Sequence, residues 1–232
     1  MNVTRRNFGT KEDLALGLAE AIAGHLIDGI DSRGQAVLAV SGGSTPGRFF
    51  QVLGRNRGID WSRVVVTLVD ERWVPETSSR SNAGLVNEKL LQGPAAVARF
   101  VPLWSGGEEP TDAAIARTNI AINALPTPFD AVILGMGNDG HTASFFPGGD
   151  NLAAALTGEG PAIAIRAPGA GEPRVTLVLK RLLEASGLYL HIEGEEKLAT
   201  LERASGDGPI EDMPIRAVLR QTQTPLNIFW SP

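Results

Sequence analysis

In the stretch GMGNDGHTASFFPG, Asp139 and His141 stand one residue apart in a glycine-rich loop. An imidazole titrates near neutrality, so it can take a proton from water, and a nearby carboxylate can hold it in orientation. The chain has three histidines. His25 falls in an amphipathic helical pattern and His191 in the strand pattern LYLHI, where each reads as a structural or surface residue. Only His141 follows a strand into a loop. Spacing alone does not assure a direct Asp139–His141 pair. Metal binding is the weaker reading, because no HxxxH pattern or second nearby histidine supports it. With no cysteine, thiolate nucleophiles, disulfides and thiolate metal sites are excluded.

The same loop matches GxGxxG at Gly135, Gly137 and Gly140. A dinucleotide site also needs a long helix after the glycines and an acidic residue at a strand end ~20 positions on. Pro147, Gly148 and Gly149 would stop a helix after about two turns, and Glu159 lies in a glycine-rich segment. The match reads as fortuitous.

Two further loops have polar chemistry. In Ser41-Gly42-Gly43-Ser44-Thr45, the glycines permit a tight turn and a close ligand approach. Ser44 and Thr45 add hydroxyls, and a following helix would turn its first N–H groups toward an anion. The loop is either a phosphate cradle or an ordinary strand-to-helix turn, and it lacks the GxxxxGK[ST] of a P-loop. AVSGG is only a loose nucleophile elbow, since Ala39 occupies the first glycine position. Asp70-Glu71-Arg72 follows an apolar strand, and buried charge is costly unless paired, so at least some of these residues belong at a strand mouth. Arg72 offers a planar fork suited to carboxylate or phosphate, the plainer alternative being a local ion pair.

These loops require strands to carry them. QAVLAV (35–40), VVVTLV (64–69) and DAVIL (130–134) read as buried strands, and RFVPLW (99–104) as a shorter one. AIAIR (162–166), RVTLVL (174–179), LYLHI (188–192) and NIFW (227–230) complete the set. A helix starts near Thr10, with Leu14, Leu18, Ile22 and Leu26 on one face. Others follow Pro46, Ser81 and Thr111, and helical patterns cover 180–186, 194–204 and 214–221. Apolar strands alternating with helices predict a mainly parallel α/β sheet with helices on both faces, with an antiparallel edge allowed in the 174–192 region. Ligands bind such sheets outside the strands' carboxyl ends, where all three loops fall.

No repeat or linker divides residues 1–232, so one domain is expected. Apolar residues make up 43% of the chain, enough for a sizeable core, and no apolar run reaches the ~18 residues of a membrane span. No signal-peptide core follows the first arginines, so a cytoplasmic protein without a membrane partner is expected. A net charge of -5 argues against broad nucleic-acid binding but not against a small anion.

The ordered segments SGGSTP, TLVDERWVP, SNAGLV, FDAVILGMGNDGHTASFFPG, PRVTLVLK and GEEKLATL make the chain similar to the 6-phosphogluconolactonase family over nearly its whole length. The resemblance implies a Rossmann-like sheet of the glucosamine-6-phosphate deaminase-like type. It implies hydrolysis of 6-phospho-D-glucono-1,5-lactone to 6-phosphogluconate, in the oxidative pentose phosphate pathway, with no cofactor or metal. By the same resemblance, Arg174 and Lys197 join the 41–45 loop around the substrate phosphate. His141 activates water, Asp139 tunes or orients the site, and Arg72 binds substrate or stabilises charge. Asp70 is inherited from a position used by the related deaminases. Those deaminases differ at two positions: an aromatic residue replaces Arg72, and a glutamate that supports ring opening replaces Phe146, whose ring cannot relay a proton. A sugar-phosphate sensor would carry an appended DNA-binding domain, for which no length is expected before the first strand. The implied partner is a small sugar-phosphate lactone, handled by a monomer or small homo-oligomer.

Overall fold

In the computed structural model, which describes residues 3–232, seven strands form one parallel sheet. Across it lie β1 (Val3–Asn7), β10 (Leu226–Ser231), β9 (Ala185–Glu193), β6 (Phe129–Leu134), β2 (Ala36–Val40), β3 (Val64–Leu68) and β5 (Arg99–Val101). Every residue of β2, β3 and β6 is buried. Successive side chains point to opposite faces, so these strands are covered on both, as their unbroken apolar runs require. Helix α1 (Lys11–Arg33) packs along β2, β6, β9 and β10. Its Leu14, Leu18, Ile22 and Leu26 are fully buried, each such side chain contributing roughly 1.5–3 kcal/mol. The expected caps form: Thr10, Ser81 and Thr111 accept from the N–H of Asp13, Gly84 and Ala114.

After β2 the chain builds outward through β3 and β5, then returns to place β6 on the other side of β2. That reversal opens a crevice at the carboxyl ends of β2 and β6. The two strand ends are tied across it. Ser41 N–H donates to Ile133 O at 3.0 Å, and Gly135 N–H donates to Ser41 Oγ at 3.1 Å.

Several expectations need correction. The 162–166 and 174–179 runs do not join the main sheet. With Asp70–Arg72 they form a separate antiparallel sheet, β4 (Asp70–Arg72), β8 (Arg174–Leu177) and β7 (Ala162–Ile165). Only Val69 separates β3 from β4, and it serves both sheets: its N–H donates to Val40 O at 3.0 Å and its carbonyl accepts from Leu177 N–H at 2.9 Å. The remaining LYLHI segment is not an antiparallel edge but an interior parallel strand, β9. Strand β1 was not expected, since VTRRN is mostly polar and exposed, yet it pairs along β10 as an edge. No helix directly follows the GMGNDGH loop; the next is α5 (Leu152–Thr157). The helical pattern at 180–186 is shorter, α6 being Leu179–Leu183.

Candidate active site

A cleft of about 230 Å³ opens at the switch point. Ser41, Gly42, Gly43, Ser44, Thr45, Asp70, Arg72, His141, Arg174 and Lys197 all line it. Asp139 is the one expected site residue that does not; it stands behind His141.

Asp139 and His141 do pair. Nδ1 of the ring lies 2.6 Å from Asp139 Oδ1, and His141 N–H donates to the same oxygen at 3.0 Å. Burial opposes ionisation of Asp139, but the hydrogen bonds and charge of His141 outweigh it and lower its pKa to about 2. The carboxylate therefore accepts and Nδ1–H donates, which leaves Nε2 as the basic nitrogen. The turn that folds the two together needs its glycines. Gly140 has φ +81°, and a Cβ on Gly137 would overlap both the His141 ring and the Asp139 carboxylate. The middle glycine of the apparent dinucleotide fingerprint is thus a seat for this pair. Phe146 packs against His141 with ring centroids 4.4 Å apart. The adjoining Ala143 also lines the cleft and holds a left-handed φ of +47°.

The antiparallel sheet brings cations over the cleft. In the β4–β8 register Arg72 stands opposite Arg174. Arg174 is buried, its guanidinium lies over the Phe146 ring, and its Nη1 is 3.9 Å from Asp70 Oδ2. Burial pushes its pKa down, with Asp70 opposing and Arg72 reinforcing the shift. Nη2 donates to Ala170 O, while Arg72 donates to the carbonyl of Arg80. The Nε atoms of both arginines are buried with no partner among the described residues. Two neighbouring guanidiniums give this wall a positive charge and a geometry suited to an anion. Asp70 also accepts from Ser144 Oγ at 2.5 Å, so it steadies this wall.

Opposite them, the 41–45 loop leads into α2 (Gly47–Gly54), which no side chain caps. Its first-turn N–H groups add positive character to the loop. Gly43 has φ +90°, and Gly42 lies so close to the Asn82 amide that no Cβ would fit. Lys197, in α7 (Glu195–Ser205), donates to Met136 O at 2.6 Å. Burial lowers its pKa, with Asp139 and Glu196 opposing.

Three residues were missed or misjudged. Asn82 lines the cleft at the start of α3 (Asn82–Lys89), its Nδ2 donating to Asp70 O. His191 lines it from the carboxyl end of β9, a strand-end position that the LYLHI pattern already carried. Glu71 points away from the cleft and is fully buried. It accepts from the N–H groups of Arg72, Asn82 and Ala83 and from Ser81 Oγ, at 2.7–3.0 Å. Burial raises its pKa and these bonds oppose the rise. Glu71→Ala would orphan two buried backbone donors at the head of α3 and the N–H of Arg72 in β4. It should cost about 2–5 kcal/mol of stability by denaturant unfolding, and a loss under about 1 kcal/mol would show the donors finding water.

A parallel α/β sheet with a cationic crevice at its switch point, and a carboxylate–histidine pair beside it, defines a Rossmann-like protein with its candidate site at the strands' carboxyl ends. The sequence pattern of the glucosamine-6-phosphate isomerases/6-phosphogluconolactonase family matches residues 9–230, and the chain belongs to that family. Among its relatives, the 6-phosphogluconolactonase of Rhizobium meliloti strain 1021 is 48% identical, with both chains covered over 100% of their length. That of Mesorhizobium japonicum is 49% identical over 97% of this chain and 94% of the relative. The crystal structure of a 6-phosphogluconolactonase from Shewanella baltica OS155 superposes with a TM-score of 0.96 at 42% identity, covering 99% of this chain and 98% of that one. A monomeric glucosamine-6-phosphate deaminase, 16% identical with a TM-score of 0.79 and covering 98% and 97% of the two chains, shares the fold.

Proposed function

We propose that this chain, acting as one domain, hydrolyses 6-phospho-D-glucono-1,5-lactone to 6-phosphogluconate, the lactone-opening step of the oxidative pentose phosphate pathway. The name shared by its full-length relatives supports the reaction. The observation that carries the mechanism is the His141 ring, tied by Nδ1 to an ionised Asp139 and lying beside a cationic cleft.

A water bonded to Nε2 attacks the lactone carbonyl carbon C1 and gives its proton to His141. The C=O electrons move onto oxygen, and an arginine of the Arg72–Arg174 wall stabilises that charge. When the intermediate collapses, the C1–O5 bond breaks and His141–H returns its proton to O5. The ring opens to a carboxylic acid and a hydroxyl, and the acid loses its proton to solvent. Asp139 keeps the ring in one tautomer and stabilises the imidazolium. The phosphate is held by the 41–45 loop, the first turn of α2, Lys197 and Arg174, which fixes C1 against the water. Asp70 holds Arg174 in place. Phe146, at the position where the deaminases place their ring-opening glutamate, offers no group to relay a proton and favours simple hydrolysis. The reading is tested by turnover of the phosphorylated lactone above its spontaneous rate; no acceleration at any accessible enzyme concentration would overturn it.

The chemistry assigned to these side chains needs no Lewis acid, and the described residues hold no group of three or more His, Asp or Glu placed to bind a metal ion. Treatment with EDTA should leave kcat and KM unchanged. Loss of turnover on chelation, restored by one particular metal, would remove His141 as the sole activator of water.

A further inference from the structure

His191 has no part in the reaction just described, yet it lines the same cleft. It is only 4% exposed, and its ring is held on two sides. Phe49 of α2 meets it edge-on with centroids 6.1 Å apart, and Nε2 lies 3.1 Å from Glu193 Oε1. The second oxygen of Glu193 lies 3.3 Å from Lys11 Nζ. Burial opposes the charge of Glu193, but His191 and Lys11 outweigh it and lower its pKa. The carboxylate is therefore the acceptor and Nε2 carries the hydrogen. Nδ1 has no partner among the described residues. A ring nitrogen that borders the cleft and has no protein partner is available to a ligand's polar group.

The strand register says which ligand group that is. Leu190 pairs with Leu134, so His191 stands beside Gly135. Gly135 N–H donates to Ser41 Oγ, and the carbonyl of Met136 accepts from Lys197 Nζ. His191 thus neighbours in register the strand end whose next residues bond Ser41 and Lys197, and its ring packs against Phe49 in the first turn of α2. These are the groups assigned above to the phosphate.

We propose that His191 is a further phosphate-binding residue, donating Nδ1–H to an oxygen of the substrate's phosphate monoester while Nε2–H donates to Glu193. The proposal rests on the phosphate anchor of the preceding section and deepens it. The bound imidazolium lies between two anions, and Glu193 fixes the direction in which Nδ1–H points. A purely structural His191–Glu193 pair would instead depend on Nε2 alone.

Two substitutions separate these roles. In His191→Asn the side-chain amide falls where Nδ1 was; in His191→Gln it falls where Nε2 was. The quantity to measure is the ratio of kcat/KM for the phosphorylated lactone to that for plain gluconolactone. His191→Gln should lower this ratio roughly ten- to a hundredfold, the value of one charge-assisted hydrogen bond, while His191→Asn keeps most of it. A structural pair predicts the reverse order, and either that order or an unchanged ratio in His191→Gln overturns the proposal. If the wild-type chain itself shows no preference, the anchor fails first and this assignment falls with it. If the wild type prefers the phosphorylated lactone and His191→Gln still does, only the His191 assignment fails. Poor folding of the variants does not shield the idea. With three histidines in the chain, imidazole nitrogen NMR of the wild type can follow His191 directly. Saturation with 6-phosphogluconate at fixed pH should move the Nδ1 signal to its protonated, hydrogen-bonded position, and an unmoved signal overturns the assignment.

Discussion

His141→Ala should lower kcat by about 10²–10⁴-fold, the usual contribution of a positioned general base, with little change in thermal unfolding. The ring is partly exposed, and its polar contacts are to Asp139 in its own loop, so its removal leaves no distant group unpaired. KM should change less than kcat, because the proposed work of Nε2 is done in the transition state. Asp139→Asn should lose activity too, but less, since an amide oxygen can still accept from Nδ1 while the charge that stabilises the imidazolium is gone. The lowered Asp139 pKa, to about 2, adds a pH condition. The carboxylate is ionised above that value and protonated only below it, so an acid limb of the pH–rate profile near neutrality cannot belong to Asp139. The measurement is initial velocity with spontaneous lactone hydrolysis subtracted. A His141→Ala enzyme within a few-fold of wild type would take His141 out of the mechanism.

The parts of the site written in local sequence were legible, and the parts made by tertiary pairing were not. The apolar runs of β2, β3 and β6 announced strands buried on both faces, and the polar loops at their ends fell at the crevice. Caps at Thr10, Ser81 and Thr111 were equally local. The second sheet was hidden because its cause is one residue: Val69 hydrogen-bonds into both sheets and turns Asp70–Arg72 out over the cleft. No periodicity marks such a departure, and DER read as a strand mouth rather than a strand. The opposition of Arg72 and Arg174 follows from that pairing and was invisible before it. Which of Asp70, Glu71 and Arg72 faces the mouth was not legible, because it depends on alternation along β4, which turns Glu71 the other way, toward the N–H groups heading α3. The Asp139–His141 contact depends on backbone that Gly137 and Gly140 permit, which spacing alone could not supply. His191 was dismissed for lying in a strand, when its place at the strand's carboxyl end was the useful signal.

If the 41–45 loop, Arg174 and Lys197 hold a phosphate, the wild-type chain should use the 6-phosphorylated lactone with a kcat/KM orders of magnitude above that for plain gluconolactone. The two substrates share the same reacting ester, so the difference reports binding remote from the chemistry. Such binding raises the rate when it holds C1 against the water and base, rather than merely tightening the ground state. Each charge-assisted hydrogen bond contributes roughly 1.5–3 kcal/mol, and every 1.4 kcal/mol or so is tenfold. Arg174→Ala and Lys197→Ala should therefore each lower use of the phosphorylated lactone by about ten- to a hundredfold. Both changes also disturb the protein: Arg174 faces Asp70, and Lys197 holds the Met136 carbonyl at the start of the histidine loop. Plain gluconolactone controls for that disturbance, since distortion of the loop would slow both substrates while loss of the anchor slows one. Burial lowers the Lys197 pKa, so its charge is lost at a lower pH than an exposed lysine's. Binding of 6-phosphogluconate should accordingly weaken early on the alkaline side, and less so in Lys197→Arg. Equal kcat/KM for the two lactones in the wild type would remove the anchor. It would leave a generic lactonase whose paired arginines serve the oxyanion alone.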